Sequence, residues 1–174
     1  WQLAKIVRNM SDKMDFEKRL KKAIDRGDRR NESREQASRD AQASEEDLKS
    51  LHMQIRLSLS EHIESCVEKV ASHFPGFKYE TIIGDKGWGA ACWRDDVNLN
   101  SGSRRNEYSR LELAIRPFAE YRVIDLAGKA TIGNKELFKR NYFEKVQEVD
   151  ETTFKELIDV WVLEYAEQFA ARRK

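Results

Sequence analysis

The stretch "GDKGWGAACWRDD", residues 84 to 96, gathers three glycines, two tryptophans and a cysteine. Three kinds of chemistry use such residues. A phosphate cradle needs a strand, a glycine-rich turn and then a helix whose N-terminal amides meet the anion. Here another strand pattern follows the glycines, and neither GKS nor GKT occurs. A nucleophilic Cys92 needs a nearby base and a depressed thiol pKa, and its sequence neighbours supply neither. A hairpin asks only for turn residues, and Gly84 and Gly87 tolerate the positive φ of a tight turn. The stretch therefore reads as a hairpin, with Cys92 on the same face as Trp88, a small buried side chain.

His62 and Cys66 stand four residues apart in a helical pattern and so share one helix face, a spacing that could chelate a metal. His73 lies about 16 Å further along the axis at ~1.5 Å per residue, too far to join them. A zinc site would need two more ligands from elsewhere, and no second Cys/His pair exists. The expectation is thus Cys66 in the core with the histidines at its margin, and neither metal nor cofactor. Asp95, Asp96 and Glu112 follow the spaced acids of a restriction-type nuclease. Such a site wants a lysine two residues past the last acid, where Ala114 stands.

Basic residues cluster at Arg29, Arg30, Arg34 and Arg39, at Arg104 and Arg105, and from Arg172 to Lys174. Acids interleave with them at Asp28, Glu32, Glu35 and Asp40, and Asp95, Asp96 and Glu107 neighbour the second group. The whole chain carries 32 Lys and Arg against 31 Asp and Glu, so no global field favours a polyanion or a membrane surface. Nucleic-acid binding through Arg29, Arg30, Arg34, Arg104 and Arg105 is the alternative reading, and a solvated surface the leading one.

The elements that place these residues change character near Pro75. Before it the pattern is helical and holds one glycine, Gly27; after it come the other seven glycines and most aromatics. From 45 to 73, Leu48, Leu51, Ile55, Leu59, Ile63, Val67, Val70 and Phe74 recur at steps of three or four, one buried stripe of a helix ended by Pro75-Gly76. Residues 26 to 44 have no large apolar side chain, the composition of a disordered or solvated linker, yet Ala37, Ala41 and Ser44 continue the stripe, so that the favoured of the two readings extends the helix back to about 31. Leu3, Ile6, Val7, Met10, Met14, Leu20 and Ile24 mark a first helix that Gly27 ends. A turn at 26 to 30 then folds the two helices into an antiparallel hairpin.

After Pro75, "FKYETII" and "WGAACWR" flank the turn GDKG, and a polar loop "NLNSGSRRNE" follows. In the next strand Leu111, Leu113 and Ile115 alternate with Arg110, Glu112 and Ala114; then Ile124, Leu126, Gly128, Ala130 and Ile132 share a face. A less regular strand spans about 136 to 148. Short links between strands require antiparallel pairing. A closing helix from about 153 to 171 puts Phe154, Leu157, Ile158, Trp161, Tyr165 and Phe169 on one face, capped by the Thr153/Glu156 box or by Asp150.

The fold class is α+β: a helical hairpin, a four- to five-stranded antiparallel meander, and a C-terminal helix. Residues 1–44 form a helical arm and 45–174 an α+β domain, with strands over about 77–148. No catalytic constellation survives, so the function expected is a non-enzymatic interaction or scaffolding module. A protein partner or self-association is expected, with Met53 and Leu57 on the back of the long helix as candidate contacts. An enzyme with a scattered site is the third reading. No apolar run approaches the ~18 residues of a membrane span and no signal peptide is visible. Two unpaired cysteines suit a reducing compartment, hence a cytoplasmic protein or the cytoplasmic part of a tethered one. A chain that begins at Trp1 is expected to be a fragment or a processed product.

Overall fold

The structure is a computed structural model that describes residues 2–100 and 102–172, with side chains for 16–18, 20–97, 102 and 104–172. It is α+β. Helix α1 spans Gln2–His73, five strands follow as β1 (Lys78–Gly84), β2 (Gly87–Asn100), β3 (Ser103–Ile115), β4 (Val123–Ile132) and β5 (Lys135–Lys145), and α2 spans Glu151–Arg172. The chain divides into two compact units, Trp1–Glu46 and Asp47–Lys174.

The first unit corrects the expected hairpin. No turn interrupts residues 26 to 30, and Gly27 lies inside one continuous helix. A lone glycine costs a helix only about 1 kcal/mol relative to alanine, and nothing else there demands a stop. Polar and charged residues beyond it brace one another at i, i+4: Asn31 donates to Glu35 at 3.0 Å, Gln36 to Asp40 at 3.0 Å, and Arg39 pairs with Glu35 at 3.6 Å. The side chains of Leu3, Ile6, Val7, Met10 and Met14 lie outside the described residues.

In the second unit the strands form one antiparallel sheet in sequence order. Asp85 and Lys86 alone join β1 to β2, and Ile83 faces Trp88 across the ladder. Gly84 and Gly87 hold φ of 149° and 130°. The expected polar loop is a paired extension of β2 and β3, with Asn100 opposite Ser103. Ladder hydrogen bonds satisfy its backbone, so pairing there needs no apolar alternation.

One sheet face carries Ala90, Cys92, Leu111, Leu113, Ile115, Ile124, Leu126, Ala130 and Phe138, all buried. They join Leu59, Ile63 and Val67 of α1 and Phe154, Ile158, Trp161, Tyr165 and Phe169 of α2 in a single core. Side chains of this size contribute roughly 1.5–3 kcal/mol each when buried. Asp150 caps α2: its carboxylate accepts from Thr152 N at 3.0 Å and from the Thr153 hydroxyl at 2.9 Å. Among the described residues no helix is long and apolar enough to cross a membrane.

Candidate functional site

The chemistry of the second unit concentrates where α1 meets α2. The 3.6-residue period sets His62 and Cys66 on one flank of α1, beside the buried Ile63 and Val67. On α2, Ile158 is buried and holds the next residue, Asp159, at the edge of the same seam. His62 Nε2 lies 2.8 Å from Asp159 Oδ1, Cys66 Sγ donates to that oxygen at 3.4 Å, and Sγ and Nε2 are 3.7 Å apart. One turn earlier the Ser58 hydroxyl donates to Glu151 at 2.8 Å, so polar contacts tie the two helices along the seam.

A nucleophile relay would place the thiol at one imidazole nitrogen and the carboxylate at the other. Here the same nitrogen, Nε2, faces both. Burial and then the Asp159 hydrogen bond push the Cys66 thiol up to about 11, away from the thiolate. What the trio offers is convergence: three donor atoms of three chemical types, all within 4.8 Å of one another. The sequence shows the His62/Cys66 pair, but Asp159 stands 93 residues from Cys66. No local spacing reveals the rotation of α2 that delivers it. His73, the last residue of α1, is exposed and outside the trio.

A second polar feature interrupts the apolar stripe of α1. His52, Arg56 and Ser60 are only 2%, 7% and 4% exposed, while Leu51, expected in that stripe, is 38% exposed. Arg56 stacks on Trp88 at 4.1 Å from the ring centroid, and among the described residues neither its Nε nor His52 Nε2 has a hydrogen-bond partner. Polar residues at i, i+4 and i+8 within a buried face are the sequence signal that marks it.

The other candidates stay apart. Cys92 is fully buried, and burial pushes its thiol up to about 12. Asp95 and Glu112 are not gathered. Asp95 faces Tyr108 and Glu112 faces Ala91, about 13 Å apart along the ladder at ~3.3 Å per residue. Two of the three acids have local partners instead: Asp96 holds Arg94 at 2.6 Å, and Glu112 holds Arg110 at 2.8 Å. Arg110 also bonds Glu80 at 2.9 Å and lies over Trp93. Arg104 and Arg105 are exposed on β3, and Arg29, Arg30 and Arg34 are exposed on α1 in the other unit. Met53 and Leu57 are about half exposed.

On the outer sheet face an open groove of about 380 Å³ has Ala114 and Ala127 in its wall and Lys86, Lys129 and Lys139 around it. Its arginines are already paired, Arg116 with Asp125 and Arg140 with Glu164.

No protein family, curated protein or solved structure matches this chain.

Proposed function

We propose that the chain is a non-enzymatic assembly module in which α1 pairs antiparallel with α1 of a second copy. The observation that carries this reading is an exposed apolar seam. Phe16 and Leu20 are 62% and 47% exposed on an unbroken helix, and Ile24, one residue past the seam position Ala23, is 54% exposed at its edge. Within the first unit, positions 16, 20, 23, 27, 30, 34, 37, 41 and 44 keep one alternating four–three step, the repeat of a two-helix coil.

Charge favours the antiparallel orientation. Side by side in parallel, Arg30 and Arg34 would each meet their own copies, and Asp40 would flank Glu45. In the antiparallel register that sets Arg34 on Ala37, Arg30 meets Ala41 and Gly27 meets Ser44. Arginine stems can cover an alanine while their heads stay in water. The same register brings Arg26 beside Asp40 and Asp47, which complements charge at the edges of the seam.

Sedimentation of the full chain tests the proposal. A dimer is expected, and Leu20→Ser with Ile24→Ser should dissociate it. Mixing Arg34→Cys with Ala37→Cys chains should yield a crosslink that Ala37→Cys alone does not. A crosslink from Ala37→Cys alone reverses the orientation, and a strict monomer at micromolar concentration overturns the reading. If Met53→Ser with Leu57→Ser dissociates the assembly and the seam variant does not, the contact moves to that spot. A nucleic-acid role for Arg104 and Arg105 predicts instead retention of DNA or RNA that falls steeply with salt.

A further inference from the structure

The distances among His62, Cys66 and Asp159 are close to those of a metal-binding face. In a tetrahedral zinc site with bonds of about 2.3 Å to sulfur and ~2.0 Å to nitrogen and oxygen, the donors lie roughly 3.5 Å from sulfur to nitrogen or oxygen and roughly 3.3 Å from nitrogen to oxygen. The observed sulfur edges are 3.7 and 3.4 Å. The nitrogen–oxygen edge is 2.8 Å, a hydrogen bond that must open by about half an ångström to admit an ion. Both partners can give, because the His62 and Asp159 side chains are 29% and 49% exposed.

We propose that His62, Cys66 and Asp159 bind one divalent cation of the zinc class, joining α1 to α2 and leaving an outward coordination position for water or a further ligand. A thiolate with an imidazole selects zinc or cobalt over magnesium and calcium, which favour all-oxygen sites. On binding, the Cys66 thiol releases its proton to solvent and His62 carries its ring proton on Nδ1, so that Nε2 presents a lone pair. Asp159 Oδ1, which accepts the Cys66 hydrogen bond and lies against His62 Nε2, turns its lone pairs to the ion. The neighbouring backbone is helical on both sides, so two of the ligands are fixed at i, i+4 and the third by the packing of Ile158.

Titration of the full-length chain with Zn²⁺ and Co²⁺ tests the site. One Co²⁺ per chain is expected, with the near-ultraviolet absorption of a thiolate–cobalt bond, and Zn²⁺ should displace it and raise Tm. Cys66→Ser should abolish the absorption. Asp159→Asn should weaken Co²⁺ binding by more than about tenfold, the loss that removal of even an outer partner of a ligand brings. Excess Mg²⁺ should not compete. Absence of the absorption, or an affinity unchanged in Cys66→Ser or His62→Gln, overturns the assignment. Circular dichroism of each metal-free variant separates lost binding from lost fold. Should Cys66→Ser unfold, the Co²⁺ affinities of His62→Gln and Asp159→Asn decide the assignment in its place.

Discussion

The Arg56 guanidinium sits 4.1 Å over the Trp88 ring and is almost fully buried. No acid pairs with it among the described residues, so an indole face takes the place of a carboxylate. Burial alone holds its pKa below the usual arginine value. A cation–π contact offsets part of the cost of a buried charge, and not all of it. Arg56→Met should therefore change stability by no more than about 1 kcal/mol and can raise it. Trp88→Ala should cost about 3 kcal/mol, since it removes packing and strips the guanidinium of its cover. Urea unfolding of both variants decides the matter. Equal large losses would mean that Arg56 is bound by something other than the ring.

Four residues away, His52 makes stability depend on pH. Burial first, and then the Arg56 charge, lower its pKa from 6.5 to about 4. It also meets Phe118 edge-on at 5.4 Å, and the Lys49 ammonium lies 5.9 Å from that same ring. The folded state thus binds its proton less readily than the unfolded chain. Stability from this group is complete above pH 6.5 and is lost as pH falls toward 4, by roughly 3 kcal/mol at the limit. His52→Gln should flatten the slope of unfolding free energy against pH in that window. A slope unchanged by the substitution would place the acid sensitivity on carboxylates instead.

Gly128 and Trp161 fix how α2 lies on β4. A Cβ on Gly128 would stand 2.7 Å from Trp161 Cε3 and 2.9 Å from Cζ3, closer than packed atoms allow. Gly128→Ala should cost about 1–3 kcal/mol through overpacking. Trp161→Leu alone opens a void, but combined with Gly128→Ala it should recover part of the loss. A double-mutant cycle with no coupling would sink this account.

What the sequence discloses follows from the range of the forces involved. Alternation at Leu111, Leu113 and Ile115, or from Ile124 to Ile132, reads directly as a buried face because the strand period is short. The turn at Asp85 and Lys86 is legible from Gly84 and Gly87, whose backbone angles demand it. Gly27 misleads because a glycine that ends one helix is tolerated inside another. Leu51 yields its place in the stripe to His52 and Arg56, polar residues that no hydrophobic pattern would choose for burial. The candidate metal site is half legible for the same reason. The chain spacing gives His62 and Cys66, whereas Asp159 depends on how two helices rotate against each other.

The two cysteines should differ in reactivity by position alone. Cys92 is 0% exposed beneath the helices, its thiol pushed up to about 12, and it faces Leu111 across the ladder. Cys66 is partly exposed, with its thiol at about 11. Neither is a thiolate at neutral pH, so both should react more slowly than a free thiol of ordinary pKa, about 8.5. With an aromatic disulfide reagent, Cys66 should modify first and without unfolding. Cys92 should react only at the rate of global opening, because reaching it requires the sheet to part from α2. Denaturant below the unfolding midpoint should accelerate Cys92 far more than Cys66. Simultaneous modification of both in native buffer would mean that the core opens locally at β2, and the buried hairpin would then be less stable than the packing of Ala90, Cys92 and Leu111 requires.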